Sequence, residues 1–185
     1  MTSPTFDDVM LDWAAAELMS PTWAIHWRHP LCDNLREIIE SLGVAALNQL
    51  QRVWLIQHVS NVRGSIIQRY GPAVGWDFRR VTIAREELSR FATMEQWSRY
   101  PSLGEFATKL RDDPSPDELD MHRHVLAISD ELADGQITWG IPVAVSRGVS
   151  NPPILIEGYK RSLAVLWGRN ASIELHLCAP HAFPT

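Results

Sequence analysis

The chain has 185 residues, of which 45% are hydrophobic and 21% are charged, and these values are typical of a folded globular protein. Its formal net charge of -5 disfavours nucleic acid and anionic membranes as partners, because such contacts depend on clustered Lys and Arg. Two widely separated cysteines, an acidic N-terminus and no apolar stretch of about 18 residues predict a soluble cytoplasmic protein with no membrane partner.

The first part of the chain, residues 1–75, carries a helical pattern of apolar residues and is predicted to form a helical extension. Thr5 is placed to cap a first helix. Asn34 with Glu37 forms a capping-box pattern ahead of a second helix, which Gly43 ends. A longer third helix is predicted to end at Gly71-Pro72, because proline cannot continue the hydrogen-bonded ladder.

The second part, residues 76–185, alternates between strand and helix patterns. Phe78 to Ile83 alternates and is rich in β-branched residues, which predicts a strand. Ser102 and Ser115 each precede a glutamate by three residues, which predicts two helix starts. Strands near 137–139, 141–145, 153–156 and 173–177 and a short helix over 160–167 are also predicted. Strands separated by helices predict an α+β (mixed α/β) fold, with a small sheet domain behind the helical extension.

The turn Glu157-Gly158-Tyr159-Lys160-Arg161 carries the clearest chemical signal in the chain. Glycine permits a tight turn after a strand, and the first N–H groups of the following helix then point outwards. A helix N-terminus beside Lys160 and Arg161 predicts an anion site with phosphate as its guest. Glu157 can hold a metal ion or accept a proton near that phosphate. The alternative interpretation is a solvated corner that binds nothing.

The stretch from Gly158 to Ala164 resembles the Gly-x-x-Arg-x-x-Ala signature of the ParB/sulfiredoxin-like superfamily, which follows an apolar strand ending in an acidic or small residue. The flanking stretches VTIAREEL, ITWGIPVAVSRG and ASIELHLC resemble the family's first, second and closing strands, so that the resemblance spans about residues 78 to 178. It implies the family's fold and nucleotide binding through this turn. Lys160, Arg161 and the backbone of Gly158 and Tyr159 would then hold the phosphates.

The family divides by chemistry, and this chain departs from each branch. Sulfiredoxins use ATP to repair over-oxidised cysteine and carry a cysteine after the glycine, where Tyr159 stands here. ParB partition proteins bind and hydrolyse CTP and continue into a helix-turn-helix domain, whereas this sequence stops shortly after its last predicted strand. Free-serine kinases keep an acid before the glycine, as Glu157 does, but usually have histidine in place of Tyr159. The kinase branch agrees best with the sequence.

Histidines and cysteine elsewhere in the chain give weaker metal signals, and no metal ligand is predicted. His122 and His124 lie two apart on a predicted helix and therefore point about 200° apart, which indicates a helix surface. His176 and Cys178 share a strand face with His181 nearby, but no paired-ligand spacing is present, so packing is the favoured interpretation.

Two other groups of residues keep two interpretations each. Trp23 and Trp27 in the segment PTWAIHWRHP are predicted to pack against the sheet domain, and the alternative is base stacking with Arg28 on a phosphate. Arg79 and Arg80 are predicted to protect a sheet edge, and the alternative is that they reach the phosphate.

The leading hypothesis is a nucleotide-binding protein that takes ATP or CTP with Mg²⁺ and transfers or hydrolyses a phosphoryl group, kinase-like, with a small hydroxyl compound as acceptor. Glu157 is the predicted catalytic residue, and residues 1–75 form a cap that limits access. The alternative is a non-catalytic binding module that recognises a protein partner, or a second copy of itself, through its tryptophan-rich helical front. Catalysis predicts a water-excluding pocket around Glu157, whereas the module predicts an exposed apolar patch on the front.

Overall fold

The computed structural model describes residues 3–20, 27–134, 140–148, 150–168 and 170–180. Within these ranges the chain forms seven α-helices and a four-stranded mixed sheet, so the predicted α+β class is confirmed. The elements in chain order are α1 (Phe6–Met19), α2 (Leu31–Leu42), α3 (Gln49–Tyr70), β1 (Asp77–Ala84), α4 (Arg85–Leu88), α5 (Leu103–Asp112), α6 (Leu119–Ala133), β2 (Val143–Val145), β3 (Ile154–Glu157), α7 (Tyr159–Trp167) and β4 (Ser172–Ala179). Short 3-10 turns lie at Val44–Ala46, Glu95–Trp97 and Pro116–Glu118.

Most of the predicted helix caps are present. The Thr5 hydroxyl accepts the Asp8 N–H, and the Asp8 carboxylate accepts the Thr5 N–H at 2.8 Å, which completes a capping box for α1. Ser102 caps α5 by accepting the N–H of Glu105. The Ser115 capping box precedes a 3-10 turn that leads into α6. Local side-chain chemistry therefore fixes these helix starts, as the sequence predicts.

The predicted start of α2 is wrong. The helix begins at Leu31 directly after Pro30, so Asn34 lies inside its first turn and not at a cap. The ring Nδ1 of His29 accepts the Leu31 N–H at 3.2 Å, and the His29 carbonyl accepts the Cys32 N–H. Because these contacts use two of the first N–H groups, the helix starts one turn earlier than the Asn34 pattern indicates.

The sheet has the strand order β1-β4-β2-β3. β1 pairs with β4 antiparallel over its full length, with Val81 opposite Leu175. β2 pairs with β4 in parallel and with β3 antiparallel, so β4 and β2 are the central strands and β1 is an edge. The second predicted strand is shorter than expected, and its neighbour at 137–139 lies outside the described residues.

One hydrophobic core joins the N-terminal helices to the sheet. Its fully buried members include Trp13 of α1, Leu55 of α3, Phe106 of α5 and Leu163 of α7. The predicted boundary between two domains at residue 75 stays a prediction. Residues on both sides of that boundary contribute to this one core. No helix in the described ranges has the combination of length and apolar character needed to cross a bilayer.

Candidate functional site

The predicted strand–turn–helix is present between β3 and α7. β3 ends at Glu157, Gly158 adopts a left-handed conformation with φ of 85°, and α7 begins at Tyr159. A Cβ atom on Gly158 would lie 2.6 Å from the Cβ of Pro142. Glycine is therefore required at this position by its backbone angle and by the close approach of the chain before β2.

Glu157 and Arg161, the acid and the base expected beside a phosphate, pair with each other. The Arg161 Nη2 donates to Glu157 Oε1 at 3.1 Å, and the two side chains are 11% and 20% exposed. Burial lowers the pKa of Arg161, while the negative charge of Glu157 opposes that shift. The Nε of Arg161 is buried and has no hydrogen-bond partner among the described residues. One donor of this guanidinium is therefore unsatisfied beside the N-terminus of α7.

α1 approaches Arg161 of this ion pair at Gly140. A Cβ atom on Gly140 would collide with the Cβ of Ala16 and would lie 2.9 Å from Arg161 Nη1 and 3.0 Å from the carbonyl oxygen of Asp12. The absence of a side chain at Gly140 therefore lets α1 approach the Arg161 guanidinium.

The side chains of Tyr159 and Lys160 contact different parts of the protein. The Tyr159 hydroxyl accepts the backbone N–H of Met94 at 2.6 Å, and burial raises the pKa of this tyrosine. The Nζ of Lys160 lies 3.3 Å from Nδ1 of His124 on α6, and burial lowers the pKa of this half-buried lysine. Tyr159 therefore holds the turn in place, whereas Lys160 lies at its outer rim.

α1 brings a second buried ion pair close to the turn. The Glu17 side chain is 1% exposed, and its Oε1 accepts the Trp13 indole N–H at 2.9 Å and a hydrogen bond from Arg63 of α3. Burial raises the pKa of Glu17 and the charge of Glu157 adds to this effect, while Arg63 opposes it. Glu17 is therefore a buried acid of α1 whose charge is opposed mainly by Arg63 of α3.

A third polar pair joins α1 to the sheet. Nε2 of His176 on β4 lies 2.8 Å from Oδ2 of Asp12, and the histidine is 2% exposed. The other ring nitrogen, Nδ1, is buried without a hydrogen-bond partner in the described part of the chain. Asp12 therefore contributes its carboxylate to His176 and places its backbone carbonyl beside Gly140 and Arg161.

A groove of about 960 Å³ lies between α1, the turn Val44–Ala46 and strands β1 and β4. Asp12 and His176 form part of its wall. Arg52, Arg79 and Arg80 also line it. A smaller cavity of about 240 Å³ lies between α4, α5 and the end of α7. Neither cavity is lined by a residue of the predicted turn.

The histidines and the cysteine that gave weaker metal signals have contacts or burial that fit a role in packing. His124 contacts Asp120 and Lys160, and the His122 ring packs against Trp167. Cys178 is buried in the core, which raises its pKa to about 12, and His181 lies outside the described residues. No three Asp, Glu, His or Cys side chains converge into a metal site within the ranges given above.

The structure shows the surroundings of one of the two tryptophans, Trp27, and of both arginines, Arg79 and Arg80. Trp27 is buried and packs against Trp54 and His58 of α3, while Trp23 lies outside the described residues. Arg80 on the edge strand β1 donates to both carboxylate oxygens of Glu174 on β4, at 2.5 and 2.6 Å. Arg79 is exposed and lines the groove.

No family model matches this chain, and the searches of curated proteins and of solved structures give no match. The resemblance to the ParB/sulfiredoxin-like superfamily therefore stays a prediction.

The polar contacts of Asp12, Glu17 and Arg63 were not predicted from the sequence. Asp12 lies 164 positions from His176, and Glu17 lies 46 positions from Arg63. The available signal was a charge inside an apolar helix pattern, since Glu17 is flanked by Ala16 and Leu18. A charged residue on the buried face of a helix requires a partner from another element.

Proposed function

We propose that the protein binds a nucleoside triphosphate, ATP or CTP, at the turn between β3 and α7 and transfers or hydrolyses its terminal phosphoryl group. The observation that carries the proposal is the occluded Glu157–Arg161 pair at the N-terminus of α7. A helix N-terminus binds phosphate through its free N–H groups, and active sites are enriched in partly buried ionisable groups. The unsatisfied Nε of Arg161 supports a phosphate contact at this guanidinium.

Each residue of the turn has a role in this proposal. Arg161, the Lys160 ammonium and the backbone N–H groups of Gly158 and Tyr159 at the start of α7 bind the phosphate oxygens. Glu157 accepts the proton of a small hydroxyl acceptor, or of water in hydrolysis. Mg²⁺ would arrive with the nucleotide, and the alternative role of Glu157 is to ligate that ion in place of accepting a proton.

The helical N-terminal segment acts as the cap in this proposal. Arg161 is 11% exposed, and α1 approaches its guanidinium at Gly140. Phosphate therefore reaches the guanidinium after α1 shifts at this contact.

A thermal-shift screen of ATP, ADP, CTP and GTP, each with and without Mg²⁺, tests binding. A ligand at a hundred times its dissociation constant adds about 2.7 kcal/mol of stability. Lys160→Ala and Arg161→Ala should each lower nucleotide affinity about tenfold or more, because each removes a charge-assisted contact to phosphate. Arg123→Ala on α6 is the matched control, since its described partner is the exposed Asp120. Unchanged nucleotide affinity in both turn variants would reject the site.

Glu157→Gln separates binding from chemistry. The variant keeps the size of the side chain and removes its charge, so nucleotide affinity should stay within several-fold while turnover falls about 10²-fold or more. The assay measures release of nucleoside diphosphate with serine, threonine and related hydroxyl compounds as acceptors. Equal turnover in wild type and variant would remove Glu157 from the mechanism.

A second candidate function is the non-catalytic binding module, for which the sequence predicts a contact through the tryptophan-rich front. Trp13 and Trp27 are buried, so the side chains that favour this function are exposed leucines of the same helical segment. Leu42 and Leu50, at the end of α2 and the start of α3, are 72% and 81% exposed, and Leu31 and Val53 on the same helices are also exposed. Contiguous exposed apolar patches mark protein contacts, and these four side chains are the candidates for such a patch on α2 and α3. If wild-type protein binds no nucleotide, Leu42→Ser and Leu50→Ser should abolish any self-association that sedimentation velocity detects.

A further inference from the structure

We propose that the groove between α1 and the β1–β4 pair is a separate binding site for a small polyhydroxylated compound that carries an anionic group. Its volume of about 960 Å³ lies in the range of small-molecule sites. The groove is lined by no residue of the turn Glu157–Arg161, so this proposal does not rest on the proposed nucleotide function.

The arginines of the groove are positioned to bind an anion. Arg52 donates Nε to the Leu47 carbonyl at 2.9 Å and Nη2 to the Ala45 carbonyl at 2.8 Å, which fixes its guanidinium against the 3-10 turn. Arg80 is held in the same way by its two bonds to Glu174. A guanidinium has five N–H donors, so each of these side chains keeps donors for a ligand. Because the two are already oriented, an anion binds with little further loss of side-chain entropy.

The carboxylates of the groove are positioned to bind hydroxyl groups. Asp8 and Asp12 lie one turn apart on α1 and both line the groove. Asp8 uses Oδ2 for the Thr5 N–H and hydroxyl, and Asp12 uses Oδ2 for His176. Each carboxylate therefore keeps Oδ1 as an acceptor for a ligand donor.

His176 adds a buried polar side chain to the wall of the groove. It lines the groove, its side chain is almost fully buried, and its Nδ1 has no hydrogen-bond partner among the described residues. Buried polar atoms without partners are rare and costly in folded proteins.

These groups together select the ligand class. A simple anion such as phosphate would face the carboxylates of Asp8 and Asp12 as well as the arginines, and like charges repel. A neutral sugar would leave the arginine donors without an anion. A compound with an anionic end and several hydroxyls satisfies both sets, and its C–H groups can contact Val44 and Val81 on the apolar wall.

The test is a titration of the full chain, followed by amide NMR shifts and calorimetry, with four probes: glucose 6-phosphate, gluconate, glucose and inorganic phosphate. We expect glucose 6-phosphate or gluconate to bind at millimolar concentrations or below, at least about tenfold more tightly than glucose and inorganic phosphate. Which of the two binds better distinguishes a phosphate from a carboxylate ligand. The shifted amides should include those of His176 and Asp12.

Arg79 is the third arginine that lines the groove, and its donors are also available to the anionic end of the ligand. Arg79→Ala should therefore weaken binding of the better probe about tenfold, the fold-change expected for one charge-assisted contact. Its side chain is exposed on β1, so the variant should fold normally. Arg90→Ala is the control, because Arg90 is exposed and lines neither cavity. Absence of binding by every probe, equal affinity for inorganic phosphate and glucose 6-phosphate, or unchanged affinity in Arg79→Ala would each overturn the proposal. Probe binding in a protein that binds no nucleotide would keep this site and reject the site at the turn.

Discussion

The substitution Arg63→Met tests how much the Arg63 charge stabilises the buried carboxylate of Glu17 on α1. Glu17 is 1% exposed and Arg63 is 14% exposed, so the pair lies almost completely out of water. Removal of the arginine leaves a buried carboxylate with one remaining described donor, the Trp13 indole N–H. Breaking a buried pair from one side costs about 3–5 kcal/mol, and the partial exposure of Arg63 places the expected loss near 3 kcal/mol.

The cost should depend on pH, with a sign that follows from the raised pKa of Glu17. Burial raises this pKa above its usual value of 4.5, so the folded state holds the proton more tightly than the unfolded chain does. The stability that comes from the protonated form is fully present below pH 4.5 and is lost as the pH rises through the folded pKa. Loss of the Arg63 charge raises the pKa further, so the variant should lose most stability near neutral pH and least in acid.

Urea unfolding of wild type and variant, at about pH 4.5 and at neutral pH, measures this difference. Arg69→Met, on the same helix, is the matched control, because its pair with Glu95 is exposed and such pairs contribute about 0.2–1 kcal/mol. In the double variant Arg63→Met/Glu17→Gln most of the lost stability should return, with a coupling of about 1 kcal/mol or more. A cost for Arg63→Met that equals that of Arg69→Met, or that is the same at both pH values, would refute the reasoning.

Two further predictions concern the turn itself. Gly158→Ala should cost about 2 kcal/mol or more in urea unfolding, because its φ of 85° and close approach to the preceding chain exclude a side chain. Gly64→Ala, in the interior of α3 with open space around it, should instead stabilise the protein by about 0.5–1 kcal/mol, and a loss there would contradict the argument. Tyr159→Phe leaves the buried Met94 N–H unpaired and should cost about 1–3 kcal/mol. Tyr70→Phe, which loses an exposed 3.3 Å contact, should cost less than about 0.5 kcal/mol, and equal losses in the two variants would remove the role given to Tyr159.

Features that depend on a few neighbouring residues could be predicted from the sequence. The caps at Thr5, Ser102 and Ser115 follow from side chains that reach backbone N–H groups three positions away. The turn at Gly158 follows from an apolar strand, a glycine and a helix pattern in succession. The wrong prediction at Asn34 also concerns a local cap. His29 accepts the Leu31 N–H, so the helix begins at Leu31, and the capping-box pattern at Asn34 does not show that an earlier start is also capped.

Contacts between distant parts of the chain could not be predicted. The pairs Asp12–His176 and Glu17–Arg63 depend on how α1 lies against β4 and α3, and a single sequence carries no register for such packing. The charges of Lys160 and Arg161 were predicted as phosphate ligands, but the sequence did not indicate that Arg161 would be buried against Glu157 and covered by α1. The groove is a property of this packing and was therefore also missed.

The packing of α1 limits how the proposed nucleotide site can open. Met10, Trp13 and Leu18 of α1 are fully buried, and burial of each such side chain contributes about 1.5–3 kcal/mol. Detachment of the whole helix would therefore cost at least about 5 kcal/mol and lower the apparent affinity of a ligand by roughly four orders of magnitude. A ligand that binds Arg161 must use a smaller motion, a shift of α1 at the contact between Ala16 and Gly140. The proposed binding at the groove and at the exposed leucines requires no such motion, whereas the proposed catalysis at Glu157 depends on that shift.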